Sequence, residues 1–183
     1  PLPITAVQIL WINLIEDGLP NIALAFEPKE KDLMDQKPQK RNVPLLTKEM
    51  KVIIFIIGIV TDIFLLLIFF WLNNYNSHDL QYIRTIIFAC LAIDSIFYVF
   101  CCKSLRQNIW HINIFNNKLL LISALIGFVG IVAAIYVPFL NTLLGTVSLH
   151  LSAWYIILGV AVLNIVLIET AKHYFIVRHN TER

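Results

Sequence analysis

The chain has 183 residues, 58% of them hydrophobic and 14% charged, with a mean hydropathy of +0.76. Those proportions exclude an ordinary soluble domain and point to an all-α bundle that crosses a bilayer several times. The formal net charge of +2 implies no nucleic-acid partner, because the basic residues are accounted for by membrane topology.

The first expected span covers residues 4–26 and is the least ordinary part of the chain. Inside an apolar stretch it carries Asn13-Leu14-Ile15-Glu16-Asp17-Gly18-Leu19-Pro20. On a helix Asn13 lies three residues from Glu16 and four from Asp17, which predicts that all three project from one face. Pro20 lacks an N–H and would leave the carbonyl of Glu16 without its helical donor. The span is therefore expected to unwind at Gly18–Pro20, bringing side-chain oxygens and free carbonyls to one depth. A dehydrated cation needs that arrangement, and polar groups beside a broken helix in a bilayer mark a transport path.

A charged connection, residues 27–51, follows, in which Pro28, Pro38 and Pro44 favour an extended path. Four further spans are expected at 52–72, 86–102, 119–137 and 151–171. Val52–Leu72 is a run of 21 residues whose one charge is Asp62, long enough to cross the hydrocarbon core. With five spans, thirteen Lys and Arg residues fall on one side of the membrane and Arg84 alone on the other. That asymmetry places the loop 27–51 and the C-terminus in the cytoplasm. Cys90, Cys101 and Cys102 read as small apolar fillers rather than disulfide partners.

Acids inside spans each cost roughly 2.5–3.5 kcal/mol on insertion scales, so each needs a partner or a role. Glu169 has Lys172 three residues on, an ion pair expected to snorkel at the membrane surface. Asp94 is central in the third span, with Ser95 beside it and no basic residue within a turn, and reads as a cation ligand shared with the first span. Asp62, next to Thr61, reads as a further ligand, a relay group, or a packing residue against Asn164 or Ser123. The candidate metal ligands are thus Asn13, Glu16, Asp17 and Asp94, with Asp62 in addition. A hard cation such as calcium takes six to eight oxygens, more than these residues supply. The chain begins at Pro1 without Met or a signal-peptide layout, and an odd number of spans suits the C-terminal piece of a longer protein.

The run from Gln8 to Pro28 resembles the sixth membrane helix of type-II P-type cation-transporting ATPases, the calcium-pump group. The family pattern there is close to Q-x-L-W-x-N-L-x-x-D-G-x-P-x-x-A-L-x-x-[DE]-P. Lys31-Asp32-Leu33-Met34-Asp35 with Lys37-Pro38 is similar to that family's acidic, Met-containing loop. The resemblance covers the whole chain, residues 1–183, as the last five of ten membrane helices. It implies that Asn13 and Asp17 are ion ligands. Glu16 stands where calcium pumps often carry Thr or Met, and adds a negative charge. Asp94 falls where sarcoplasmic calcium pumps place a Glu, and Glu169 with Lys172 matches a charged pair late in the tenth helix. Glu30, Asp32 and Asp35 resemble acids that couple the membrane part to the phosphorylation domain.

The Asp-Lys-Thr-Gly-Thr phosphorylation motif, the nucleotide site and the actuator Gly-Glu loop do not occur in these 183 residues. No catalytic residue is therefore assigned here, and ATP and magnesium belong to the full-length enzyme. The resemblance implies calcium as the transported cation. The partners it implies are the remaining helices and cytoplasmic phosphorylation domain of the same pump, together with the lipid bilayer, in the plasma membrane of a prokaryote. A different class of function is a non-transporting membrane scaffold or accessory subunit descended from such a pump.

Overall fold

The computed structural model describes residues 1–28, 48–75, 79–103, 109–111 and 113–181. Among them every regular element is helical. The first segment is three pieces in line: α1 (Ala6–Trp11), a π-helical stretch (Ile12–Gly18) and α2 (Leu19–Leu24). Then come α3 (Lys48–Lys51), a second π-helical stretch (Val52–Ile57), α4 (Gly58–Tyr75) and α5 (Leu80–Cys102). Two single 3-10 turns, Ile109–His111 and Ile114–Asn116, lead to α6 (Lys118–Tyr136), α7 (Pro138–Leu144) and α8 (Leu151–Thr181).

Among the described residues four stretches, not five, are long and apolar enough to cross a membrane: Ile54–Asn74, Leu80–Cys102, Lys118–Tyr136 and Leu151–Tyr174. The expected span at 4–26 is helical but divided, because α1, the π stretch and α2 have 6, 7 and 6 residues. Nor does it unwind at Gly18–Pro20. Gly18 and Leu19 keep right-handed helical angles (φ −61°, ψ −54° and φ −65°, ψ −48°). The helix widens ahead of the proline instead, so Pro20 falls in the first turn of α2, where its missing N–H costs least. Gly18 permits this: a Cβ there would stand 3.3 Å from the Asn13 carbonyl five residues back. Thr5 starts the segment with a capping box, exchanging hydrogen bonds with Gln8.

The third expected span begins earlier than residue 86, at Leu80, so Arg84 lies within α5 and its Nε donates to the Leu2 carbonyl at 2.7 Å. Helix α5 is the centre of the bundle, in contact with the first segment, α4, α6 and α8. Burial on several sides explains its near-continuous run of buried residues, Thr85 to Cys90. Phe69, Phe88, Ile131 and Ile157, from four different helices, are fully enclosed in the core around it. The turn after α7 needs Gly145, which has φ +64°. Asn141 closes that corner by donating to the carbonyls of Ala134 (3.1 Å) and Ile135 (2.9 Å).

Two polar clusters fasten the far end of the bundle. Lys103 Nζ lies 3.3 Å from Glu27 and donates to the Asn113 carbonyl at 2.6 Å. Asn117 donates to the Ala23 carbonyl (2.9 Å) and to Glu27 (3.0 Å). The Glu169–Lys172 pair, expected to snorkel, is instead enclosed. Its atoms are 2.7 Å apart and the side chains of Lys172 and Glu169 are 1% and 6% exposed. Lys172 also donates to the Cys101 carbonyl at 2.9 Å, and the Ile109 N–H donates to Glu169 at 2.9 Å. The turn at 109–111 is thereby tied to the pair through the Ile109 N–H. Cys90 and Cys101 are buried free thiols and Cys102 is partly buried.

Candidate cation site

The widened helix decides which polar groups of the first segment meet. From Gln8 to Pro20 its buried residues recur at every fourth position, Gln8, Ile12, Glu16 and Pro20, a longer repeat than an α-helix sustains. In a π-turn the residue four on comes round to the same face, whereas the residue three on falls short of it. Asn13 and Asp17 therefore share a face, and Glu16 joins the buried stripe beside it.

Asn13 and Asp17 line a cleft of about 450 Å³ together with Thr61 and Asp62 of α4, Asp94 and Ser95 of α5, and Asn164 of α8. Asn13 and Asp62 are exposed along its open side, while Asp17 and Asp94 are half-buried. Ser95 donates its hydroxyl to the Asp17 carboxylate. Asn164 donates to both carboxylate oxygens of Asp94, at 2.5 and 2.6 Å. The Thr61 hydroxyl lies 2.9 Å from the other end of that amide. Adjacent residues of α5 thus hold the first segment on one side, through Ser95, and α4 and α8 on the other, through Asp94.

Glu16 points elsewhere. Its side chain is fully buried against α6, where a Cβ on Gly127 would overlap its Oε2 and one on Gly130 would lie 3.6 Å from its Oε1. Glu16 is not among the residues lining the cleft. Asp62 lines the cleft but stands in no hydrogen bond with Asn164, which is engaged with Thr61 and Asp94. Glu30, Asp32 and Asp35 lie outside the described residues. Asn164 was the residue that pattern reading placed least well. Its signal was available, since a lone amide in mid-span carries the same desolvation cost that singles out Asp94.

Chemically, the cleft offers three carboxylates, those of Asp17, Asp62 and Asp94, and several neutral oxygens, a hard and charged set of the kind that suits a divalent cation such as calcium. Among the described residues no three His, Cys, Asp or Glu side chains gather closely enough to hold a metal ion.

Comparison with known proteins identifies the family. The family described as cation-transporting ATPase, C-terminus, matches residues 1–174. The chain belongs to that family. It is 32% identical over 165 residues to a calcium-transporting ATPase of Bacillus subtilis, covering 88% of this chain and 18% of the relative. It is 30% identical over 184 residues to calcium-transporting ATPase 1 of Bacillus cereus, covering 93% of this chain and 21% of the relative. It is 28% identical over 172 residues to the mouse calcium-transporting ATPase type 2C member 2, covering 94% of this chain and 18% of the relative. The chain thus spans about a fifth of the length of these relatives. As a member of the cation-transporting ATPase family it is a multi-pass membrane segment of a P-type ATPase, similar to the calcium-transporting relatives named above.

Proposed function

We propose that residues 1–183 form the cation-binding membrane domain of an ATP-driven calcium pump, in which Asn13, Asp17 and Asp94 contribute ligands from two elements to one ion. The observation that carries the reading is that Asp17 and Asp94, 77 positions apart in the sequence, line a single cleft with Asn13. Two acids from separate elements facing one space are costly in a membrane unless a cation neutralises them. Asp62, on the open side of the cleft, is a further ligand. Glu16 joins the set only by leaving its place against Gly127 and Gly130. Calcium requires more oxygens than these side chains give, and the rest come from other helices of the pump.

In this reading the loop 27–51 and the C-terminus face the cytoplasm of a prokaryotic cell. Glu30, Asp32 and Asp35 take up the signal from the phosphorylation domain, which supplies ATP and magnesium chemistry. The first segment crosses the bilayer beside α5, shielded by helices of the same pump. The names of the relatives support calcium as the transported ion.

The deciding experiment is Asp17→Asn in the full-length pump, assayed for calcium-dependent phosphorylation from ATP. An amide cannot neutralise the ion, so phosphorylation should be lost at calcium concentrations that saturate the wild type. Phosphoenzyme formed at normal calcium affinity would remove Asp17 from the ligand set. A wild-type protein that binds no calcium would favour a scaffold descended from a pump.

A further inference from the structure

We propose that Asn164, on the last helix, is a positioning residue of the cation site: it holds the Asp94 carboxylate in one orientation at the cleft, and Thr61 in turn holds Asn164. The inference rests on the reading of Asp94 as a cation ligand and extends the site to α8, which supplies none of the ligands proposed above.

A carboxamide accepts at one end and donates at the other, so its effect depends on which end faces which neighbour. The Asp94 oxygens lie 2.5 and 2.6 Å from Asn164 Nδ2, and an ionised carboxylate only accepts. The Thr61 hydroxyl lies 2.9 Å from Asn164 Oδ1 and supplies a donor there, with the Ile57 carbonyl of its own helix, also at 2.9 Å, as the competing acceptor. Turned end for end, the amide would set Oδ1 against two carboxylate oxygens and lose both contacts. Asn164 is 5% exposed and Thr61 8%, so water does not replace these bonds.

The consequence falls on Asp94. With both oxygens held by one amide nitrogen, its carboxylate cannot turn about its last bond without losing a contact. Asp94 sits beside Ser95, which holds Asp17, so fixing Asp94 also fixes the separation of the two acids across the cleft. An ion that needs several oxygens at set distances gains from ligands that are already in place. A simple tie between α5 and α8 needs neither the two-oxygen contact nor the hydroxyl that orients the amide.

The test uses the full-length pump and calcium itself, with calcium dependence of phosphorylation and maximal ATPase rate measured side by side. Asn164→Leu should raise the half-saturating calcium concentration about 10–100-fold, the loss seen when the partner of a ligating group is removed. The maximal rate at saturating calcium should stay within about twofold, as expected for lost ground-state binding. Thr61→Val, nearly the same shape, should shift calcium dependence in the same direction by a smaller factor. It should add nothing in the Asn164→Leu background, because it acts through the amide. An unchanged or lower half-saturating concentration in either variant, or additive effects, would overturn the proposal. So would a fall in maximal rate without a shift, the mark of a structural tie. Should Asn164→Leu fail to fold, the Thr61→Val result decides alone. A wild-type pump without calcium-stimulated phosphorylation is a separate outcome that sinks the calcium-pump reading, and the positioning role with it.

Discussion

The carboxylate of Glu16 rests against Gly127 of α6, fully buried, and neither of its oxygens has a hydrogen-bond partner among the described residues. The contact exists because position 127 has no side chain: an added Cβ would overlap Glu16 Oε2 and stand 3.2 Å from Ile96 Cδ1. The first segment and α6 therefore approach through a glycine, as packed membrane helices often do.

Gly127→Ala should destabilise the protein by about 1–3 kcal/mol, the usual cost of forcing a methyl group into a filled contact. Glu16→Ala in the same chain should recover part of that loss by clearing the space. Gly159, whose added Cβ would meet nothing within 4 Å, is the control. Thermal unfolding of the detergent-solubilised pump measures all three. Equal losses at 127 and 159 would show that Glu16 does not occupy the contact.

Asp94 and Asp62 both line the cleft, but Asp94 is half-buried and hydrogen-bonded while Asp62 is exposed on its open side. Asp94→Asn should therefore raise the calcium needed for half-maximal phosphorylation by at least ~10-fold, and Asp62→Asn by less, since affinity follows ligand charge and site rigidity. A larger effect at Asp62 would shift the centre of the site towards α4.

Replacing Glu30, Asp32 and Asp35 together by Ala should slow phosphorylation from ATP while leaving equilibrium calcium binding intact. The motivation is a dense acidic stretch in the loop between two membrane segments, away from the cleft residues in sequence. Calcium binding that falls as far as turnover would remove the coupling role.

The enclosed pair Glu169–Lys172 gives a prediction about stability rather than transport. Lys172→Met strands Glu169, whose side chain is 6% exposed, and should cost about 3–5 kcal/mol, the penalty for an uncompensated buried charge. Glu169→Leu combined with Lys172→Met removes both charges and should cost markedly less. A double variant as unstable as Lys172→Met would mean that the contacts to Cys101 and Ile109, rather than the charges, hold this end.

Much of this protein is legible in its sequence because a bilayer leaves few choices. Runs such as Val52–Leu72 must be helical to satisfy their backbone in lipid, and the acids within such runs must have partners. Residue chemistry and spacing alone therefore marked Asp17 and Asp94, and the Gln8–Pro28 motif pointed to the family that comparison supports. Whether the first segment would break at Pro20 was not legible, because local rules cannot tell an unwound turn from one widened by a single residue. In the widened form the first segment packs against α5 and α6, and Gly18 makes room for it. That one change of helical repeat sends Asn13 and Asp17 to the cleft and Glu16 to Gly127, although an α-helical spacing puts all three on one face. The partner of Asp94 was equally a tertiary decision. Asn164 lies 70 residues away, and only the packing of α8 on α5 chooses it over the other polar groups of the spans.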